Sequence, residues 1–416
     1  MKNRILSAAL AALLILSLAA CGSQPKTTDP ATTPAGPDSS QTPATTAQPA
    51  TAPATTPEHT YQVLSPSGEL LAEIDYLAAA TAADDGIFYS VFHPEENKLT
   101  DDAEYHLFRT SDKTDIFLGR LENQGYEALY SRTELNGVVY TLALTGDPMD
   151  NEQDTLWLLQ ADAKAGTLNR YKVSEHAHPY TALAVVNGKL LIMNHEMNEP
   201  KTDSVYEFDP ASASVRQVLT LSTASDSLRG LSADGDGFCV LRLSLSNGMP
   251  NGIFLDRYDS AYNKTSETSI TDLFTRAAQN VHGIMSAEDA MNEAGMPASA
   301  FSLTDGRFLA YENFSITHII FDLETGETLF AGDDPYPSSL GGGDKVFYKM
   351  LFPEGEDKTP EFFRLQNGQI EHPTFTLPED YLIQGLSHSP AGTWLARMTD
   401  GTGANRPDVY ILWQEP

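Results

Sequence analysis

The 416-residue chain holds two cysteines, Cys21 and Cys239. So few exclude a disulfide framework, and a stable core has to come from apolar burial. Bases are scarce as well: 26 Lys and Arg stand against 57 Asp and Glu, for a formal net charge of −31. A surface this acidic repels phosphate backbones and anionic lipid headgroups. Nucleic acid is thereby excluded as a partner class, whereas a cationic peptide, a basic protein face or divalent ions remain compatible. No G-x-G-x-x-G, Walker loop, C-x-x-C pair or complete Asp-box occurs. The phosphate-cradling turns therefore have no candidate here, and no cofactor is implied.

What is present begins at the amino terminus. Lys2 and Arg4 precede Ile5–Ala20, an uncharged run of 16 residues. This falls short of the ~20 residues that cross a bilayer as a helix and suits the apolar stretch of a secretory leader. The run ends Leu18-Ala19-Ala20-Cys21, where small side chains let a peptidase groove approach the chain just before the cysteine. It resembles the lipobox of bacterial lipoproteins, L-[AS]-[GA]-C, at every position. The resemblance implies a signal peptide over 1–20, a diacylglyceryl group on Cys21, and a mature chain anchored by lipid on the extracytoplasmic face of the cell membrane. At ~0.8 kcal/mol per buried methylene, two or three acyl chains hold durably. Residues 21–59 are almost wholly Thr, Pro, Ala, Ser and Gln, too polar to offset the entropy of ordering them. They are expected to form a disordered tether with a reach on the order of 100 Å.

The body, 60–416, is longer than the ~250–300 residues at which single cores stop growing, so two domains or a repeat is required. A repeat is readily found. "DDGIFYSVF", "LNGVVYTLAL", "VNGKLLIMN", "GDGFCVLRL", "TDGRFLAYE", "GGDKVFYKML" and "PAGTWLARM" each place a tight turn before an apolar strand. Asn-Gly and Asp-Gly favour turns with positive φ between antiparallel strands. The marker glycines Gly86, Gly137, Gly188, Gly237, Gly306, Gly343 and Gly392 lie 51, 51, 49, 69, 37 and 49 residues apart. With a strand before each marker and one or two after it, the unit is four antiparallel strands per ~50 residues, the pattern of a kelch-like propeller blade. The expected fold is all-β, a seven-bladed β-propeller over 60–416. The long interval carries a helical insert over about 271–296, whose Ser286 opens an S-x-x-D capping pattern. "SPAGTWLA" at 389 also resembles the S-P-D-G-x-x-[LI]-A signature of WD-like repeats in bacterial periplasmic proteins, with Ala391 in place of Asp. The hairpin "YQVLSPSGELLAEI" at 61 is expected to complete the last blade, removing exposed sheet edges.

Chemical motifs are lookalikes. "GLSAD" at 230 and "GLSHS" at 385 approach the G-x-S-x-G nucleophile elbow, yet each precedes a strand-strand turn instead of a helix, at the same point of two repeats. "DGDG" at 234 has too few oxygens for calcium. "HEMNE" at 195 lacks the second histidine of H-E-x-x-H, and Pro200 forbids the helix that would present it. "HAH" at 176 has no third metal ligand in view, and Cys239 reads as a small core residue. One pattern survives. Connections between second and third strands share one end of the units and span about 93–103, 145–154, 194–203, 246–252, 313–317, 352–360 and 399–408, with 16 acids against four bases. Asp101, Asp102, Asp147, Asp150, Glu152, Glu196, Glu199 and Asp203 are the candidate ligand-binding residues of this rim. The expected function is non-catalytic, binding a protein or cationic peptide at the cell surface. A glycan- or peptide-acting hydrolase or lyase on the same scaffold is the alternative, because scattered catalytic residues leave no motif.

Overall fold

In the computed structural model of the chain, the described residues are 60–92, 101–126, 132–146, 154–177, 181–196, 201–281, 286–295, 298–313, 317–333, 341–342, 346–351, 361–366, 369–371, 381–389, 391–400 and 408–414. Residues 1–59, with the expected leader, Cys21 and the expected tether, lie outside them.

Twenty-nine strands and two helices follow in order among these residues. The chain opens with β1 (Thr60–Leu64) and β2 (Leu70–Asp75), then β3 (Leu77–Ala83), β4 (Gly86–Phe92), β5 (Asp101–Arg109) and β6 (Thr114–Tyr126). Next come β7 (Arg132–Leu135), β8 (Val138–Thr145), β9 (Thr155–Asp162) and β10 (Thr167–Ser174), then β11 (Ala182–Val186), β12 (Lys189–Glu196), β13 (Thr202–Asp209) and β14 (Ser214–Ser222). After β15 (Asp226–Asp234), β16 (Gly237–Ser246), β17 (Met249–Tyr258) and β18 (Lys264–Ser269) the helices α1 (Thr271–Ala278) and α2 (Ala287–Gly295) occupy the expected insert. The chain continues with β19 (Ala298–Thr304), β20 (Phe308–Asn313), β21 (Thr317–Asp322) and β22 (Thr328–Asp333). It ends with β23 (Gly341–Gly342), β24 (Val346–Leu351), β25 (Glu361–Gln366), β26 (Gln369–Glu371), β27 (Tyr381–His388), β28 (Thr393–Asp400) and β29 (Val409–Gln414).

β11–β14, β15–β18, β19–β22 and β23–β26 are four-stranded antiparallel sheets with neighbouring strands paired in chain order. Their tight first turns follow the sequence signal: Asn187-Gly188 and Asp305-Gly306 both have positive φ at the two central positions, which matches the twist of the flanking strands. β3–β6 and β7–β10 repeat the same order but join as one eight-stranded sheet, a departure from separate repeat units. Within the described residues β7 pairs with β8 from Leu135↔Val138 to Arg132↔Thr141, and the far end of β8 presents its edge to another strand. The extended tail of β6 takes that edge, pairing Gln124↔Thr145 and Tyr126↔Leu144, so its hydrogen-bonding groups are not left open. The last sheet runs β27-β28-β29-β1-β2. β1 lies parallel to β29 through Val63↔Tyr410, and β2 covers β1 in turn, so both strands of the amino-terminal hairpin complete the carboxy-terminal sheet.

First strands meet in series, with one exception: β7 packs on β11, β11 on β15, β15 on β19, β19 on the second strand β24 of the next sheet, β23 on β27, and β27 on β3. Between β3 and β7 the link is the Asp84 N–H, which donates to Glu134 Oε2 at 3.2 Å. The circuit of sheets thus closes. The apolar core is divided into layers between successive sheets. One holds Phe88, Tyr105, Leu121, Val139 and Leu159, another Leu142, Leu158, Leu190, Ile192 and Phe208. Second strands are sandwiched by such layers on both faces, which is why β4 and β20 are buried almost from end to end rather than at alternate positions. Each large side chain so buried contributes about 1.5–3 kcal/mol.

The insert enters one of these layers. Ile270, Phe274, Ala277, Ala278, Ala290 and Ala294 pack with Leu241, Leu255, Leu303, Tyr311 and Phe321, between sheets β15–β18 and β19–β22. Ser286 caps α2 as its S-x-x-D pattern predicts, accepting the Asp289 N–H at 3.0 Å. The helices were expected outside the repeat; their apolar faces put them in its core instead.

Candidate functional site

Side chains at the shared end of β12, β13 and β15 form a polar grouping near the predicted rim. In the β12–β13 register His195 faces Asp203 and Glu196 faces Thr202. Asp203 is 1% exposed. Its Oδ1 lies 2.7 Å from His195 Nδ1, and its Oδ2 accepts from Ser227 Oγ at 2.9 Å and from the Leu228 N–H at 2.6 Å. Burial alone would raise this carboxyl, but the hydrogen bond and charge of His195, with the Leu228 and Ser227 donors, outweigh it and hold the pKa below the ordinary carboxylate range. Asp203 therefore bolts the second sheet strand pair β12–β13 to β15 of the neighbouring sheet.

Glu196, one residue from His195, accepts from Ser174 Oγ at 2.8 Å, Asn194 Nδ2 at 3.0 Å and Tyr206 Oη at 2.5 Å. Burial and this carboxylate together push the Tyr206 hydroxyl well above its usual range. Asp102, in β5 of a different sheet, sits 3.7 Å from Arg120 Nε. Asp101 lies at the first position of β5. Asp147, Asp150, Glu152 and Glu199 lie outside the described residues. Of the eight carboxylates predicted for the rim, then, the structure brings Glu196 and Asp203 together, and both are engaged by donors from the protein itself.

The lookalike motifs acquire a structural role. Four first strands carry a bulge, at Leu77/Ala79, Leu228/Gly230, Ala298/Ala300 and Ile383/Gly385. Each bulge is followed by a small residue and, two positions on, a hydroxyl: Ala79-Ala80-Thr81, Gly230-Leu231-Ser232, Ala300-Phe301-Ser302 and Gly385-Leu386-Ser387. Ser232 Oγ accepts the N–H of Leu303 in β19 at 3.0 Å, and Ser387 Oγ accepts the N–H of Ala82 in β3 at 2.9 Å. These serines are sheet-to-sheet staples. The glycine is needed because a Cβ on Gly230 would stand 2.3 Å from Phe301 Cγ. Cys239 is fully buried in the layer that also holds the insert, and burial pushes its thiol far above the usual range. Among the described residues, no three His, Cys, Asp or Glu side chains group as a metal site requires, and no helix is long and apolar enough to cross a membrane.

Sequence reading missed Arg229. It is the extra residue of the β15 bulge, since Leu228 pairs with Arg242 and Gly230 with Leu241. A base set inside an otherwise small and apolar repeat motif, "SLRGLS", was the available signal.

No protein-family model matches the chain, and no curated protein matches it. Among solved structures it is similar to the acylaminoacyl peptidase of Pyrococcus horikoshii, at 11% identity and a TM-score of 0.48, over 82% of this chain and 51% of that one. The chain thus spans about half the length of that peptidase. It is similar also to the β-propeller domain of the Trilobed protease from Pyrococcus furiosus, at 14% identity and a TM-score of 0.47, over 82% and 96% of the two chains. A third similar structure is Sqt1 of Saccharomyces cerevisiae, at 9% identity and a TM-score of 0.45, over 85% and 88%.

Proposed function

We propose that the chain is a seven-bladed β-propeller held outside the cytoplasm by lipid on Cys21, and that it is a non-catalytic module binding a cationic peptide or basic protein face. The observation that carries the non-catalytic reading is the order of atoms in the Ser227, Asp203 and His195 grouping. An activated nucleophile needs its hydroxyl on the imidazole and the carboxylate behind that ring. Here Ser227 donates to Asp203, the carboxylate stands in the middle, and Asp203 is also committed to the Leu228 N–H. The same commitment removes Asp203 from the binding surface, and Glu196 is similarly occupied. The partner-facing charge in this reading comes from Asp101, at the start of β5, and from Asp147, Asp150, Glu152 and Glu199, within a chain of net charge −31. Focused negative potential attracts basic ligands over ~8 Å at physiological salt.

Titrating the full chain with a hexalysine peptide tests the reading. Affinity is expected to fall steeply between low and physiological ionic strength, and to vanish when those five acids are changed to Asn or Gln. Salt-independent binding, or binding indifferent to the five changes, removes the rim from the proposal. For the anchor, Cys21→Ser is expected to move the protein from the membrane fraction to the soluble fraction; a variant still retained on the membrane would contradict it.

A further inference from the structure

We propose that Arg229 is the anchor of a ligand site for a carboxylate group, set on the line of first strands between sheets β11–β14 and β19–β22. The site is independent of the acidic rim.

Arg229 lacks the contact carboxylate that most of the described arginines have. Arg242, Arg257, Arg307, Arg397 and Arg216 each hold a carboxylate at 2.5–2.8 Å. Arg229 forms no ion pair among the described residues. Its NH1 reaches only the carbonyl of Leu228, at 3.5 Å, and its Nε is buried with no partner. Asp203 and Tyr311 are the titratable groups that act on it, and burial depresses its pKa. Asp203 acts on Arg229 from a distance and makes no contact ion pair with it, its oxygens being engaged by His195, Ser227 and the Leu228 N–H. A partly buried cation without an anion is costly, and arginine cannot relieve the cost by losing its proton. In a chain with 57 acids to 26 bases, an arginine left over in this way points to a counter-ion that arrives from outside.

The bulge interrupts the β15–β16 ladder at Arg229, and β15 meets first strands on both sides. The one large irregularity of the repeat also borders this place. Tyr311, which acts on Arg229 electrostatically, lies in the layer filled by α1 and α2, and two residues on Asn313 donates to the Glu293 carbonyl and carboxylate of α2 at 3.1 and 3.0 Å. A guanidinium fork matches a carboxylate through two parallel hydrogen bonds. Phosphate is disfavoured, since a dianion meets twice the repulsion from the protein's net negative charge.

The probe is acetyl-alanyl-alanine as the free acid and as its carboxy-terminal amide, followed by thermal melting of the full chain at constant ionic strength, with inorganic phosphate as a third arm. The free acid is expected to raise the melting temperature in a concentration-dependent way, and the amide to leave it unchanged. Arg229→Met is expected to weaken the apparent affinity for the acid about tenfold or more, while the ligand-free variant melts at or above the wild type because an unpaired charge has gone. Arg229→Lys should retain part of the response. The proposal is overturned if neither compound shifts the melt, if acid and amide act alike, if phosphate matches the acid, if Arg229→Met keeps the response, or if that variant melts well below wild type without ligand.

Discussion

Two arginines one register step apart in the same sheet live in opposite electrostatic circumstances. Arg242, on β16 opposite Leu228, has Asp226 at 2.5 Å, Asp256 at 2.7 Å and Glu267 at 2.9 Å, and lies 4.6 Å from the Phe254 ring. Arg229, the neighbour of Leu228, has none. Supply of acid is the same for both; the difference is geometric. Arg242 leaves a regular ladder, so its side chain falls across the strands β15, β17 and β18, where its three carboxylates also project. The bulge turns Arg229 out of that ladder toward adjacent sheets, whose nearest carboxylate is already committed. A third group shows the other way out of such a position. Glu134, near the like charge of Asp84, has its carboxyl raised by burial and by that neighbour to about 8. A glutamic acid can stay neutral where it lacks a counter-charge, and an arginine cannot.

The sharpest way to break the comparison is Arg242→Met. It strands Asp256, which is 1% exposed, with Lys264 as its remaining cation at 3.0 Å, so a loss of about 3–5 kcal/mol is expected in urea unfolding. Arg229→Met is expected to cost nothing, and equal losses in the two variants would erase the distinction between them. Asp203→Ala should come next, at about 2–3 kcal/mol, because it leaves the Leu228 N–H and Ser227 hydroxyl unsatisfied at the root of the bulge. If Asp203 only neutralised Arg229 from a distance, Asp203→Asn would cost as much as Asp203→Ala; partial rescue by Asn is the expected result. Ser232→Ala and Ser387→Ala test whether the two staples are equivalent, each with a loss of about 1 kcal/mol and unchanged slope against urea.

A last prediction, read in pH dependence instead of a single loss of stability, concerns Glu134. Its folded pKa of about 8 lies above the ordinary 4.5, so between these values the folded state holds a proton that the unfolded chain has released. Stability contributed by this group is therefore full below about pH 4.5 and is lost as pH rises through about 8. Glu134→Gln should flatten the decline in melting temperature across that window, and an unchanged pH profile would remove Glu134 from the β3–β7 seam.

Much of the fold was legible because its signals are local. Asn187-Gly188 and Asp305-Gly306 announce their turns through backbone conformation alone, Ser286 announces α2 through a cap three residues long, and double-sided burial makes β4 and the first four residues of β20 mostly apolar. The site was less legible. "GLS" reads as a failed nucleophile elbow until the neighbouring sheet supplies the N–H that its serine accepts. Asp203 reads as a rim acid because its position after Pro200 looks like a loop, and nothing nearby in sequence reveals Ser227 and Leu228, 24 and 25 residues away.

By itself the sequence determined the all-β repeat, the turns, the place of the insert and the acidity of the molecule, since each follows from spacing, side-chain volume or charge count along the chain. Only tertiary structure decided that β6 would cover the end of β8, that β1 would lie parallel to β29, that the insert would enter the core, and that Arg229 would be left without a carboxylate. Those outcomes depend on which surfaces remain unfilled after neighbouring sheets have packed, and that packing joins residues more than 300 positions apart.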